Sequence, residues 1–176
     1  MLTNPPLVLD TDLVSSFAWI DRMDILETLF SEQMIILDEV LTELRRVEHL
    51  YAKVNICINN GSINSVSMLA DSPAALELGE ILSTGRYGTG EAACMAYLKY
   101  NSGTMGSNNL SDVKAFCEAK EKDLITTAMI IHYAVDTAVI KETEAATIWD
   151  SMLKKRRKLP ADSYSAYVEY LRGMTS

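Results

Sequence analysis

Short apolar runs that hand over to stretches of helical periodicity constrain this chain more than any other feature. Leu7-Val8-Leu9 follows Pro5-Pro6 and closes on Asp10, and Met34-Ile35-Ile36-Leu37 closes on Asp38. Runs this short, without a polar alternation, read as strands buried on both faces of a parallel sheet. Asn55-Ile56-Cys57-Ile58, just before the turn signal Asn59-Asn60-Gly61, is expected to be a third strand, and Ser65 to Met68 a further one. Thr104-Met105-Gly106 reads as a strand passing into the loop Ser107-Asn108-Asn109, and Asp123 to Thr127 as the last strand.

The intervening segments carry apolar residues at helical spacing. Leu13, Phe17, Ile20, Ile25, Leu26 and Leu29 predict a helix, a break over Asp21 to Asp24, and a second helix. Asp38 is expected to cap the helix bearing Val40, Glu43, Leu44 and Val47. Ser72-Pro73 opens another, since proline suits the first helical turn. Glu91 heads an alanine-rich helix, and Ser111-Asp112 begins the next. Helices are also expected over Ala128 to Val135, Lys141 to Leu153 and Ser163 to Leu171. Alternating strands and helices imply an α/β fold with a central parallel sheet flanked by helices on both faces. At 176 residues one domain is expected, with a core over about 5–140 and a helical C-terminal extension over about 141–176. Internal repeats and low-complexity linkers are absent from the sequence.

Composition narrows the function. A net charge of −8 makes the long-range field repel phosphate, so uniform coating of RNA is excluded and nucleic acid could bind only locally. The three cysteines are widely spaced with no Cys-x-x-Cys pair, which fits reduced thiols and no structural zinc. The opening MLTNPPLVLD lacks a signal-peptide pattern, and no apolar run is long enough to span a bilayer. A cytoplasmic location without membrane partners is the expectation.

In open α/β sheets, ligands sit beyond the carboxyl ends of the strands. Asp10 ends the first strand, Glu43 lies about one turn into the helix after the second, Glu91 follows a glycine loop, and Asp112 opens a helix after a strand. Each acid alone is explained by capping and by the helix dipole. Asp10 resists that explanation, because a carboxylate directly after a buried strand must be hydrogen-bonded or metal-bound.

Four segments, in order, resemble the PIN-domain ribonucleases. They are Leu7-Val8-Leu9-Asp10-Thr11-Asp12, Val40-Leu41-Thr42-Glu43-Leu44, Gly88-Thr89-Gly90-Glu91-Ala92-Ala93 and Asp112-Val113-Lys114-Ala115. The resemblance spans about residues 7–127. It implies a Mg²⁺- or Mn²⁺-dependent endoribonuclease, with Asp10, Glu91 and Asp112 holding the metal and Glu43 positioning or activating water. Thr11 and Thr127 would support the site through their hydroxyls. It admits a toxin silenced by an antitoxin, an RNA-processing role with a regulatory protein, and a homodimer. Many members carry two adjacent aspartates where this chain has Asn108-Asn109. A neutral amide lowers the charge of the site and weakens Mg²⁺ binding, so a catalytically weak PIN-like module that binds nucleic acid or regulates is the alternative. A small-molecule phosphohydrolase ranks last, for want of a nucleophile-and-lysine pattern.

Other features have plainer explanations. His49 and His132 lie far apart, with no serine or cysteine elbow between them to make a hydrolase. Gly85 to Gly90 is glycine-rich but lacks the Gly-Lys-Ser/Thr ending of a phosphate loop. Asp38-Glu39 reads as solvated capping. Lys154-Lys155-Arg156-Arg157-Lys158 could contact phosphate, but a basic helix end favoured by the dipole explains it better. Tyr164, Tyr167 and Tyr170 form a helical stripe suited to packing rather than base stacking.

Overall fold

The computed structural model describes residues 4–174. Five parallel strands are β1 (Leu7–Leu9), β2 (Met34–Leu37), β3 (Ile63–Val66), β4 (Thr104–Gly106) and β5 (Asp123–Ile125), in the order β3-β2-β1-β4-β5. The central β1 and β2 are buried throughout, as their unbroken apolar sequences require, whereas the edge strands β3 and β5 keep exposed residues. Between β1 and β2 lie α1 (Thr11–Trp19) and α2 (Met23–Phe30), and between β2 and β3 lie α3 (Asp38–Leu44) and α4 (Glu48–Asn59). Next come α5 (Pro73–Ser83) and α6 (Thr89–Tyr100) before β4, α7 (Leu110–Ala119) before β5, then α8 (Thr127–Asp136), α9 (Glu142–Lys154) and α10 (Tyr164–Met174).

The order reverses at β1. The chain steps outward through β2 to β3, then returns to the far side of β1 with β4 and β5. Parallel strands need crossover connections, and the helices supply them. In the packing, α1 lies against α3 and α4, while α5 lies along α6, which touches β1, β2 and β4 and also meets α3. One hydrophobic cluster runs from Leu7 in β1 to Tyr167 in α10. It takes in Ala145, Ile148, Trp149 and Met152 of α9, so the C-terminal helices pack onto the cluster that the sheet helices share. No helix among the described residues is long and apolar enough to cross a membrane.

The expected strand at Asn55 to Ile58 is wrong. These residues lie within α4, where Leu50, Val54 and Cys57 are buried and Ile56 is 64% exposed. Burial at i, i+4 and i+7 is the helical period, which a four-residue apolar window hides. The third strand is instead Ile63–Val66, two residues earlier than the expected Ser65 to Met68. The expected cap is also different: Leu37 is the N-cap of α3, and Asp38 is its first helical residue, accepting a hydrogen bond from Ser67. The break after α1 falls at Asp21, whose φ of 57° ends the helix.

All three cysteines are buried thiols, as expected. Tyr164 and Tyr167 pack against Trp149, while Tyr170 stays 59% exposed. His132 meets the Tyr164 hydroxyl at 3.0 Å and His49 packs edge-on to Trp19, so both histidines serve local packing.

Candidate functional site

A cavity of about 750 Å³ opens at the carboxyl ends of β1 and β4, where the strand order reverses. Asp10, Glu43, Glu91 and Asp112, the four acids named from the sequence, all line it. Asp12 lines it as a fifth acid, and Arg156, Arg157 and Lys158 form an opposing basic wall.

Asp10 is placed by the sheet. Its backbone N–H extends the β1–β4 pairing to the Gly106 carbonyl at 3.0 Å. Its side chain is 3% exposed and caps α1 by accepting from the Leu13 N–H at 2.7 Å. Burial pushes its carboxyl up from 3.8 to about 7, the Asp12 and Glu91 carboxylates add to the rise, and the Ser107 hydroxyl and Leu13 N–H oppose it. Glu91, in the first turn of α6, is also pushed up by burial. Asn109 opposes that rise, while Asp112, Glu43 and Asp12 reinforce it.

Glu43 is clamped at both oxygens. Thr11 Oγ1 donates to Oε2 at 2.5 Å, and the Gly90 N–H donates to Oε1 at 2.9 Å. Gly90 cannot be any larger residue without a shift: a Cβ there would lie 2.6 Å from Thr11 Oγ1 and 2.8 Å from Glu43 Oε2. The second glycine of Gly88-Thr89-Gly90-Glu91 therefore lets α6 approach α3 closely enough to hold the glutamate. Thr11 supports the site through its hydroxyl, as expected. Thr127 does not: its Oγ1 is buried without a hydrogen-bond partner, and its backbone N–H donates to Asn108 Oδ1 at 2.9 Å.

Amides and cations separate the remaining acids. Asn108 Nδ2 donates to Asp12 at 3.3 Å, and Asn109 Nδ2 donates to Asp112 at 2.8 Å. Asp112 also pairs with Arg86 at 3.1 Å, and these two partners hold its carboxyl below the usual range. Arg157 pairs with Asp12 at 3.4 Å. Among the described residues, no three acidic, histidine or cysteine side chains converge tightly enough to enclose a metal by themselves.

Sequence reasoning missed Asp12, read only as part of a helix start, and ranked phosphate contact by the Lys154 to Lys158 run below a basic helix end favoured by the dipole. The spacing Asp12-x-x-x-Ser16 gives no hint that Arg157 arrives 145 residues later. Glu39, assigned to solvent, has one carboxylate oxygen enclosed without a partner one turn before Glu43. Compared with family models, curated proteins and solved structures, the chain finds no match.

Proposed function

We propose that this chain is a divalent-metal-dependent endoribonuclease of the PIN type. The observation that carries the proposal is the gathering of carboxylates from four separate segments in one cavity at the strand-order reversal, facing three cations. Ligands bind at such reversals in open α/β sheets, and a phosphodiester needs both a polarising centre and countercharge.

The donor set suits Mg²⁺ or Mn²⁺. Its groups are oxygens, which these hard ions favour, and Mg²⁺ keeps several waters, so one or two carboxylates suffice. The raised Asp10 and Glu91 carboxyls mark where a cation would relieve repulsion and burial. Asp10 and Glu91 would hold the metal, with Asp112 at the rim as a third, water-mediated partner. When bound, such an ion polarises a phosphoryl oxygen and lowers the pKa of water. Glu43, with each oxygen fixed by one donor and a lone pair to spare on each, orients water and accepts its proton. The Thr11 hydroxyl and Gly90 N–H keep Glu43 from rotating away.

The test is incubation of purified protein with structured and single-stranded RNAs in Mg²⁺, Mn²⁺ or EDTA, beside Asp10→Asn and Glu91→Gln. Cleavage that needs metal and disappears in both variants is the expected result. Full cleavage by Asp10→Asn, or cleavage undiminished by EDTA, sinks the mechanism. A second reading, a weakly catalytic module that binds nucleic acid, is favoured by Asn108 and Asn109. Their amides donate to Asp12 and Asp112 where a carboxylate pair would call for a cation. Folded protein that binds RNA but cleaves none of the panel supports that reading.

A further inference from the structure

We propose that the turn after α9 is a phosphate grip, in which Arg156 and Lys158 hold a backbone phosphate of single-stranded RNA over the acidic cavity. The proposal rests on reading the cavity as a nucleic-acid site and assigns separate tasks to the cations of its basic wall.

Three observations carry it. First, Arg156 and Lys158 line the cavity, are exposed, and have no ion-pair partner among the described residues. A basic helix end serving only the dipole would point its charges at the last carbonyls of α9. These two instead face the five acids. Second, the turn is built to stay there. Arg157 between them is tied to Asp12 at 3.4 Å and to Ser15 Oγ at 3.5 Å, both in α1. The Arg156 and Arg157 N–H groups return to Leu153 and Met152 carbonyls at 2.8 and 3.0 Å. Lys155 sits 5.5 Å from the Trp19 ring centre. Beyond the turn, Trp149 Nε1 holds the Ala161 carbonyl at 2.9 Å. Third, Arg156 has a φ of 58°, the left-handed residue just past the α9 C-cap Lys155, so the helix end itself fixes where this side chain leaves the turn.

The arrangement also accounts for how a chain of net charge −8 could engage RNA: attraction is confined to one wall of the cavity. Arg157 acts as the strut and is a positioning residue. Arg156 and Lys158 supply the contacts, and guanidinium donors suit phosphate oxygens.

The experiment is fluorescence anisotropy of a labelled single-stranded 12-nucleotide RNA in EDTA, over a range of salt. The proteins are wild type, Arg156→Gly, Lys158→Gln, the double variant, and Lys114→Gln as a control away from the cavity. Glycine at 156 keeps the left-handed backbone, so a loss of binding there is not a loss of folding. Unfolding midpoints check this directly, and Arg156→Gly should melt at the wild-type temperature or above it. The double variant should bind roughly tenfold more weakly, with the slope of log affinity against log salt reduced by about 0.7 per cation removed. Lys114→Gln should match wild type. Wild type that fails to bind, or a double variant that binds as tightly with the same salt slope, overturns the grip. RNA that binds through this pair but is not cleaved with any metal leaves the grip standing and removes the nuclease reading. Metal-dependent cleavage with unchanged binding in the double variant does the reverse.

Discussion

Replacing Asp10 by asparagine should make the metal-free protein more stable at alkaline pH. Asp10 is almost wholly buried, and burial together with the Asp12 and Glu91 charges raises its carboxyl from 3.8 to about 7. In the unfolded chain it ionises near its ordinary value. Between those two pH values the native protein holds a proton that the unfolded chain has released, so stability falls as pH rises through this window. The loss is complete above about 7, where it amounts to about 4 kcal/mol. Asparagine never ionises. Its amide oxygen can still accept from the Leu13 N–H, and asparagine caps helices about as well as aspartate. Groups that titrate in both proteins cancel in the comparison. The stability difference between variant and wild type should therefore widen in the variant's favour by about 3 kcal/mol from pH 5 to pH 8. Urea unfolding in EDTA at several pH values reads this directly. A difference that stays constant or narrows across that range refutes the account of Asp10 as a carboxylate strained by burial and like charge. Adding Mg²⁺ at pH 8 should then stabilise wild type and leave Asp10→Asn unmoved.

Three further outcomes are expected. Mn²⁺ affinity, measured by calorimetry, should fall close to tenfold for each pH unit below about 7, because Asp10 must lose its proton to ligate; a flat profile from pH 5 to 7 excludes Asp10 as a ligand. Gly90→Ala should cost about 1–3 kcal/mol by overpacking and abolish activity by displacing Glu43, whereas Gly79→Ala, with open space around it in α5, should stabilise by about 0.5–1 kcal/mol. Thermal melts and cleavage rates separate the two, and an active, unperturbed Gly90→Ala removes the clamp on Glu43. Trp149→Ala should destabilise by about 3–5 kcal/mol, since the ring is fully buried in the shared cluster and its N–H holds Ala161; a cost below about 1 kcal/mol would show that α9 and α10 pack onto the sheet helices only loosely.

Much of the fold was legible because its signals are local. Leu7-Val8-Leu9 and Met34-Ile35-Ile36-Leu37 can be buried on both faces only in a central parallel sheet, and they are β1 and β2. Asp10 after such a strand, and Glu91 in the first turn of a helix after a glycine loop, follow from the same local reading. Where the window was too short, local reading failed. In α4 every fourth or third residue is buried, yet Asn55 to Ile58 taken alone looks like a strand. Residue type and spacing thus determined the α/β class, the ends of β1 and β2, and four acids of the cavity. They could not determine which distant groups meet those acids. That Asn109 donates to Asp112, that Gly90 must be bare to seat Glu43, and that Arg157 crosses from the end of α9 to Asp12 are outcomes of the reversal of strand order at β1 and of the last helices packing on the sheet helices. Periodicity records which face a residue buries, whereas the pairing of two charges far apart in the chain depends on a topology that no single segment encodes.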